Sequence, residues 1–509
     1  MKSARLLCVV ILGAFCVRPE VTNAQERFDG VREFIEIELS RQQIPSLAVA
    51  VSHRGKIIWE EGFGFANAAK QTPATADTIY RICSVSKVFT ATAVMILVEQ
   101  GKLDLDKPVN DYLGKEKLVA RVGKARDATV RRLANHTSGL PTHELIFYEG
   151  ELFKRQPSDR IETQIARYGN IAWAPGSKPT YSNLASGILS HIVARRSGES
   201  FTQFMRQEVF DPLGMTRSSV RLRKRLANFA AVGHVEGKPV PMVTNATPGA
   251  GEVWCSAHDL VRFGMFHLKN DLPDQRAILS DKSLDEMKVT TSRAPGSDFG
   301  IGWGTDSNYR GTGFRAVGHH GGNVGWHSLL VLLPEEDVAV AILVNANGNI
   351  LDPVADEVLS VVVPEFGPRR KAHLKARKEA ASRNNPAGPS NAKTPSNAVG
   401  KWTGNVTTFE GEVPMTIWIE ESGAASAVIG NQPKTALKSS RIRGGSLTAD
   451  LRATIDTADT RRLRSGVLEL DLTFRGDVLS GVVYANSLYG NAEYGGYRLN
   501  HWVKLKRSE

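Results

Sequence analysis

Ser84-Val85-Ser86-Lys87 sets a hydroxyl and an amine three residues apart, at the start of an apolar run reaching Val98. At that spacing two side chains project from one face of a helix. Lys87 can then meet the Ser84 hydroxyl as a base or proton relay, once burial and neighbours lower its pKa. Ser84 is expected in the first helical turn, where free backbone N–H groups can stabilise an oxyanion. The pattern alone selects little. Ser390-Asn391-Ala392-Lys393 repeats it in a Pro-rich stretch, and Tyr-x-Asn occurs at Tyr168, Tyr181, Tyr484 and Tyr489.

Neighbouring residues choose among these matches. Ser84 follows Tyr80-Arg81-Ile82-Cys83; further on come Asn135-His136-Thr137-Ser138-Gly139-Leu140-Pro141 and Pro175-Gly176-Ser177-Lys178-Pro179-Thr180-Tyr181-Ser182-Asn183. Asp211-Pro212-Leu213-Gly214-Met215, the stretch from Glu252 to Phe263, and Gly318-His319-His320-Gly321-Gly322 complete the series. In order and surroundings these resemble the serine β-lactamase-related family: class C β-lactamases, D-alanyl-D-alanine carboxypeptidases, D-aminopeptidases and esterase relatives. The resemblance spans Phe28 to Val363. It implies that Ser84 is the acylated nucleophile and that Lys87 and Tyr181 form the proton-transfer pair, with Tyr181 as base to Ser84 and later acid to the leaving group. It also implies that Asn183 holds the acyl-side amide and that His319, His320 and Gly321 line the substrate site. The backbone N–H groups of Ser84 and Gly322 would form the oxyanion hole. No metal or other cofactor is expected.

Other candidates carry less. His319, His320 and His327 lack a carboxylate or cysteine at a familiar metal spacing. There is no Gly-x-Ser-x-Gly elbow, which disfavours an α/β-hydrolase triad. His136 reads as a structural loop residue, Asp104 and Asp106 as local caps or pairs, and Trp402, Trp418 and Trp502 as barrel core.

The elements that must position these residues fall into segments. Residues 1–24 read as a signal peptide: Lys2 and Arg5, a 12-residue apolar run from Leu6 to Val17, then Thr22-Asn23-Ala24 before a cleavage point at Gln25. Twelve residues are too few to cross a bilayer core that needs about 20. The expectation is a periplasmic or secreted protein with no stable membrane span. In residues 25–367, strand-like Leu47–Ser52 and Lys56–Glu61 meet at Arg54-Gly55; Ser328–Leu333 and Val338–Val344 form a second hairpin; Asp29–Arg41 and Val354–Val362 read as helices. Strands at both ends with helix-rich sequence between give an α+β fold: an antiparallel sheet flanked by helices and carrying a helical insertion. Residues 368–398 read as a linker, basic and then rich in Pro, Asn and Ser, whose first half could form a solvated helix. Residues 399–509 show short alternating strands suited to a barrel-like, lipocalin-like accessory domain. It is expected to be non-catalytic, so that a chain ending near Gly367 would still acylate.

The net charge of +11 argues little for nucleic acid, because +7 of it lies in Pro368–Ala398. Cys83 and Cys255, the two cysteines beyond the leader, read as buried packing residues more readily than as a disulfide pair. The whole suggests an exported serine hydrolase of amide, peptide or ester substrates, cell-wall material among them. The rival is a slow-turnover or non-catalytic penicillin-binding sensor on the same fold. His320 carries one further expectation. It stands where β-lactam-handling relatives usually place a Thr or Ser hydroxyl against the substrate carboxylate, so it should narrow the site and favour carboxylate-free esters or amides.

Overall fold

In a computed structural model, residues 26–148, 156, 159–293, 298–383, 394–463, 465–487 and 497–508 are described. The expected leader, the second Ser-x-x-Lys and Tyr489 lie outside them. The longer elements of the first segment are α1 (Asp29–Gln42), β1 (Ser46–His53), β2 (Lys56–Asn67), α2 (Ser86–Glu99), β3 (Glu144–Tyr148), α3 (Asn183–Ser197) and α4 (Ala257–His267). They continue as β4 (Ala316–Asn323), β5 (Trp326–Leu333), β6 (Val338–Val344), α5 (Leu351–Val362) and α6 (Phe366–Arg383).

The central sheet is antiparallel. Its long strands run β4-β5-β6-β1-β2, so the N-terminal hairpin closes onto the last strand of the segment, with Leu47 opposite Val344 and Val51 opposite Val340. Both hairpins fall where turn chemistry placed them; Arg54 and Gly55 take left-handed φ of 51° and 72°, as a two-residue hairpin turn requires. Alternation along each strand sends side chains to two separate cores. Ala48, Ala50, Leu330, Leu332, Ala339 and Ala341 face the core that includes α2, α3 and α4. Val49, Val51, Leu329, Val331, Val340 and Ile342 face α1 and α5. Covering both faces explains why Val338–Val344 is apolar at every position.

The C-terminal segment contains β7 (Gly400–Thr408), β8 (Gly411–Ile419), β9 (Ala425–Ile429), β10 (Ser446–Leu451), β11 (Ser465–Arg475), β12 (Val478–Ser487) and β13 (Tyr497–Ser508). They form one antiparallel sheet, whose outermost strands, Thr435–Ala436 and Lys438–Arg443, are neighbours in sequence: a nearly closed barrel. Trp402 is fully buried in it. The other two tryptophans depart from expectation. Trp418 is half-buried beneath the Lys434 ammonium, and Trp502 faces outward to cluster with Trp173, Val482 and Tyr484 against the first segment. The Tyr484 match lies within β12 and not in a turn.

The two segments share structure. β3 pairs on one side with Val243–Asn245 and on the other with β13, Leu145 opposite Tyr497 and Glu144 opposite Arg498. Around that junction Arg167 and the Tyr168 hydroxyl donate to Asp459 (2.7 Å each), and Arg462 donates to the fully buried Asp159 (2.8 Å). The helix α6 crosses the expected boundary at Gly367: Phe366 is buried and Arg370 pairs with Asp356 (2.9 Å), while its later residues are exposed.

Candidate active site

The strand Ile79–Arg81 runs into a tight 3-10 turn, Cys83–Val85, and then into α2. Ser84 therefore sits in the turn just ahead of the α-helix and not in its first turn. Cys83 takes the left-handed conformation (φ 47°), a costly state for a side-chain-bearing residue that packing must enforce. Its thiol is buried and hydrogen-bonds no second cysteine; Cys255 is likewise free and buried. Below the turn, Arg81 is fully buried and makes an ion pair with Glu252 (2.9 Å) while donating to Asn245 Oδ1 and the Gly251 carbonyl. Through Nε and one terminal nitrogen of Arg81, this buried network fixes the strand against the 245–252 loop.

Lys87 is 3% exposed and donates to Ser84 Oγ (3.1 Å) and to the Ala250 carbonyl (2.9 Å). Its ammonium lies 4.8 Å from the centre of the Tyr181 ring. Burial pulls the Lys87 pKa down to about 7, against a weaker upward pull from Glu144. Tyr181 moves the other way: burial raises its phenol above the ordinary value, with a hydrogen bond to Ser84 opposing.

Tyr181 is held by its loop. Thr142 Oγ1 donates to the Tyr181 carbonyl (2.7 Å), Ser182 Oγ donates to the Pro141 carbonyl (2.7 Å), and the Thr180 N–H donates to the His136 carbonyl (2.7 Å). Ser182 also caps α3, accepting from the Ala185 N–H. Asn183 opens that helix, and its buried Oδ1 has no partner among the described residues. The His136 ring lies 4.5 Å from the Tyr181 ring and 4.8 Å from Phe299, so this loop histidine packs directly on the phenol.

On β4, His319 and His320 point to opposite faces, as strand alternation dictates. His319 faces Tyr181 (6.1 Å between ring centres), and its Nδ1–H donates to the His320 carbonyl (2.6 Å). That bond leaves Nε2 as a lone-pair acceptor, buried and without a partner among the described residues. Burial and the nearby Lys87 lower the His319 pKa to about 3, so the ring is neutral at pH 7. His320 turns toward α5, 58% exposed, and bonds Asp352 (2.9 Å). From there it borders the cavity beside Tyr181, on the face of the strand opposite His319. His327 bonds instead to Gly348 and Asn347, so the three histidines do not converge. Gly321 is where β4 meets the nucleophile turn; a Cβ there would collide with the Ile82 carbonyl and Ser328 Oγ. Its need is for closeness. Gly322 follows it on the exposed side of the strand.

Glu144, absent from the sequence reading, borders the same cluster. Burial raises its pKa, while Lys87, Arg81 and Arg498 pull it back. A lone acid in an apolar stretch gives no sequence signal; its position depends on β3 reaching the barrel. Beside Tyr181 and His319 opens a cavity of about 660 Å³ that also touches Phe299, Asp298 and Asp306. The arrangement offers a hydroxyl in contact with an amine that titrates near neutrality, a phenol that stays protonated, and space beside both.

The Beta-lactamase family model matches residues 25–363. Protein flp of Staphylococcus aureus (strain MRSA252) is 24% identical over 347 residues, 67% of each chain. Penicillin-binding protein 4 of Amycolatopsis lactamdurans is 29% identical over 340 residues, 63% of this chain and 84% of that one. Among solved structures, the octameric penicillin-binding protein homologue from Pyrococcus abyssi aligns over 92% of this chain and 99% of its own, with TM-score 0.58 and 21% identity. A class C beta-lactamase aligns over 66% of this chain and 97% of its own, with TM-score 0.56 and 21% identity.

Proposed function

The chain belongs to the beta-lactamase family, and on that premise we propose that it is a hydrolase working through an acyl-serine at Ser84. The observation that carries this reading is the 3.1 Å contact between Ser84 Oγ and an amine whose pKa lies near 7. At neutral pH a large fraction of Lys87 is uncharged and can take the Ser84 proton as Oγ bonds to the substrate carbonyl carbon. The carbonyl electron pair moves to oxygen, facing the backbone N–H groups of Ser84 and Gly322. When the carbonyl reforms, the bond to the leaving group breaks; that group takes the Tyr181 proton, and Lys87 returns one to Tyr181. Water then attacks the acyl carbon and gives up a proton through the same pair, and Ser84 is regenerated.

The raised Tyr181 pKa supports Lys87 as the base and Tyr181 as the acid, in place of Tyr181 as first base. His319 Nε2 supplies an acceptor beside the phenol, and the unpartnered Asn183 Oδ1 suits a substrate N–H. The leader pattern in residues 1–24 supports a reaction outside the cytoplasm. Intact-mass measurement after fluorophosphonate treatment tests the nucleophile: one adduct is expected on the native chain and none on Ser84→Ala. An adduct on the alanine variant would sink the reading. A stable adduct from penicillin with no turnover of any ester or amide would favour the sensor.

A further inference from the structure

Tyr181, the proton donor to the departing group in the proposed mechanism, forms part of the wall of the cavity beside His319, so a departing group would sit beside or within it. Its lining is one-sided in charge. Asp298 and Asp306 contribute carboxylates, and among the described residues no lysine or arginine lines it. Of the cations nearby, Arg310 is held by Asp352 and Asp356, while Arg293, 78% exposed, lies 3.8 Å from Asp298 and offsets part of its charge, leaving Asp306 as the principal charge of the wall. His320, at the rim, is bonded to Asp352. Asp306 accepts the Asn308 backbone N–H (2.8 Å) and meets no cation among the described residues.

Two further observations bear on the ligand. His319 and Tyr309, each less than 10% exposed, line this cavity, and His319 Nε2 and the Tyr309 hydroxyl have no hydrogen-bond partner among the described residues. His319 can only accept there, since its one proton is committed to the His320 carbonyl. The remaining wall includes the rings of Tyr181, Phe299 and Tyr309. Aromatic faces with carboxylates and free acceptors are the surroundings in which ammonium groups bind well.

We propose that this cavity receives the leaving group of the substrate and selects leaving groups carrying an ammonium over those ending in a carboxylate. This rests on the acyl-serine reading and names the substrate class for it: amides or esters whose departing half is cationic. The carboxylate discrimination expected from His320 reappears here on other residues.

The test uses the full chain and three methylphosphonate aryl esters. Their departing phenols carry a meta trimethylammonium, a meta tert-butyl or a meta carboxylate group. In each, the Ser84 Oγ–P bond forms, the P–O(aryl) bond breaks and the phenol departs with a proton, and rates are normalised to alkaline hydrolysis. The expected order is cationic, neutral, anionic, with about tenfold or more between the extremes, as a carboxylate such as Asp306 a few ångströms away produces. The span should shrink severalfold in Asp306→Asn, further in Asp298→Asn/Asp306→Asn, and at 0.5 M salt. Ser84 labelling at equal rates for all three, a reversed order, or a span unchanged in both variants overturns the inference and leaves the acyl-serine intact. No labelling of the native chain, or labelling that survives Ser84→Ala, overturns both.

Discussion

Lys87 draws its chemistry from its surroundings. Burial disfavours its ammonium, so between the ordinary lysine value and about 7 the folded chain binds one proton fewer there than the unfolded chain. Stability from this group therefore rises with pH through that window, and so does the neutral amine that can accept the Ser84 proton. Phosphonylation or turnover should show an acid limb with its midpoint near pH 7 and a plateau above; a limb near the ordinary lysine value would contradict the assignment. Lys87→Met and Tyr181→Phe should each cost several orders of magnitude in turnover, and the double variant little more, because the pair acts as a unit. Glu144 raises the Lys87 pKa, so Glu144→Gln should move the limb to lower pH. Gly321→Ala should cost about 1–3 kcal/mol in denaturant unfolding through overpacking and should slow Ser84 labelling, since the displaced strand adjoins the nucleophile turn.

At the level of elements, the parts legible in sequence were those whose signals are local. The hairpins at Arg54-Gly55 and at 334–337 announced themselves by turn residues between apolar runs, and α1 and α5 by their apolar spacing. Ser84, Lys87 and Tyr181 stood out because several short motifs surround them, and the structure brings them together. Facing was harder to read. Adjacent His319 and His320 look alike in sequence, and only the strand's alternation tells which one meets Tyr181. β3 was unreadable for another reason: its partner on β13 lies about 350 residues away, and no local pattern encodes that pairing. This strand revises the expectation for a shortened chain. Ending at Gly367 would leave Glu144–Tyr148 with an unpaired edge and uncover Trp173. Such a chain should label at Ser84 at least tenfold more slowly than the full protein, and labelling at the full rate would show that β3 holds its place without the barrel.

In the whole molecule, the ion pairs at the junction and the shared β3 make the barrel part of one cooperative body. Asp159 is fully buried against Arg462, so Asp159→Ala should cost about 3–5 kcal/mol by stranding a charge. Calorimetry should show a single thermal transition for the native chain, with separate barrel and hydrolase transitions counting against this coupling. The pairing of Glu144 with Arg498 also sets a timetable for biogenesis. Synthesis runs from the N-terminus, and domains ordinarily fold as they emerge. Here one bank of the reaction centre waits for a strand, Tyr497–Ser508, that is made about 350 residues after β3. A nascent polypeptide therefore keeps Ser84 in an incomplete setting until that strand has emerged, and a stop before Tyr497 should yield a product that labels at Ser84 more slowly than the full chain.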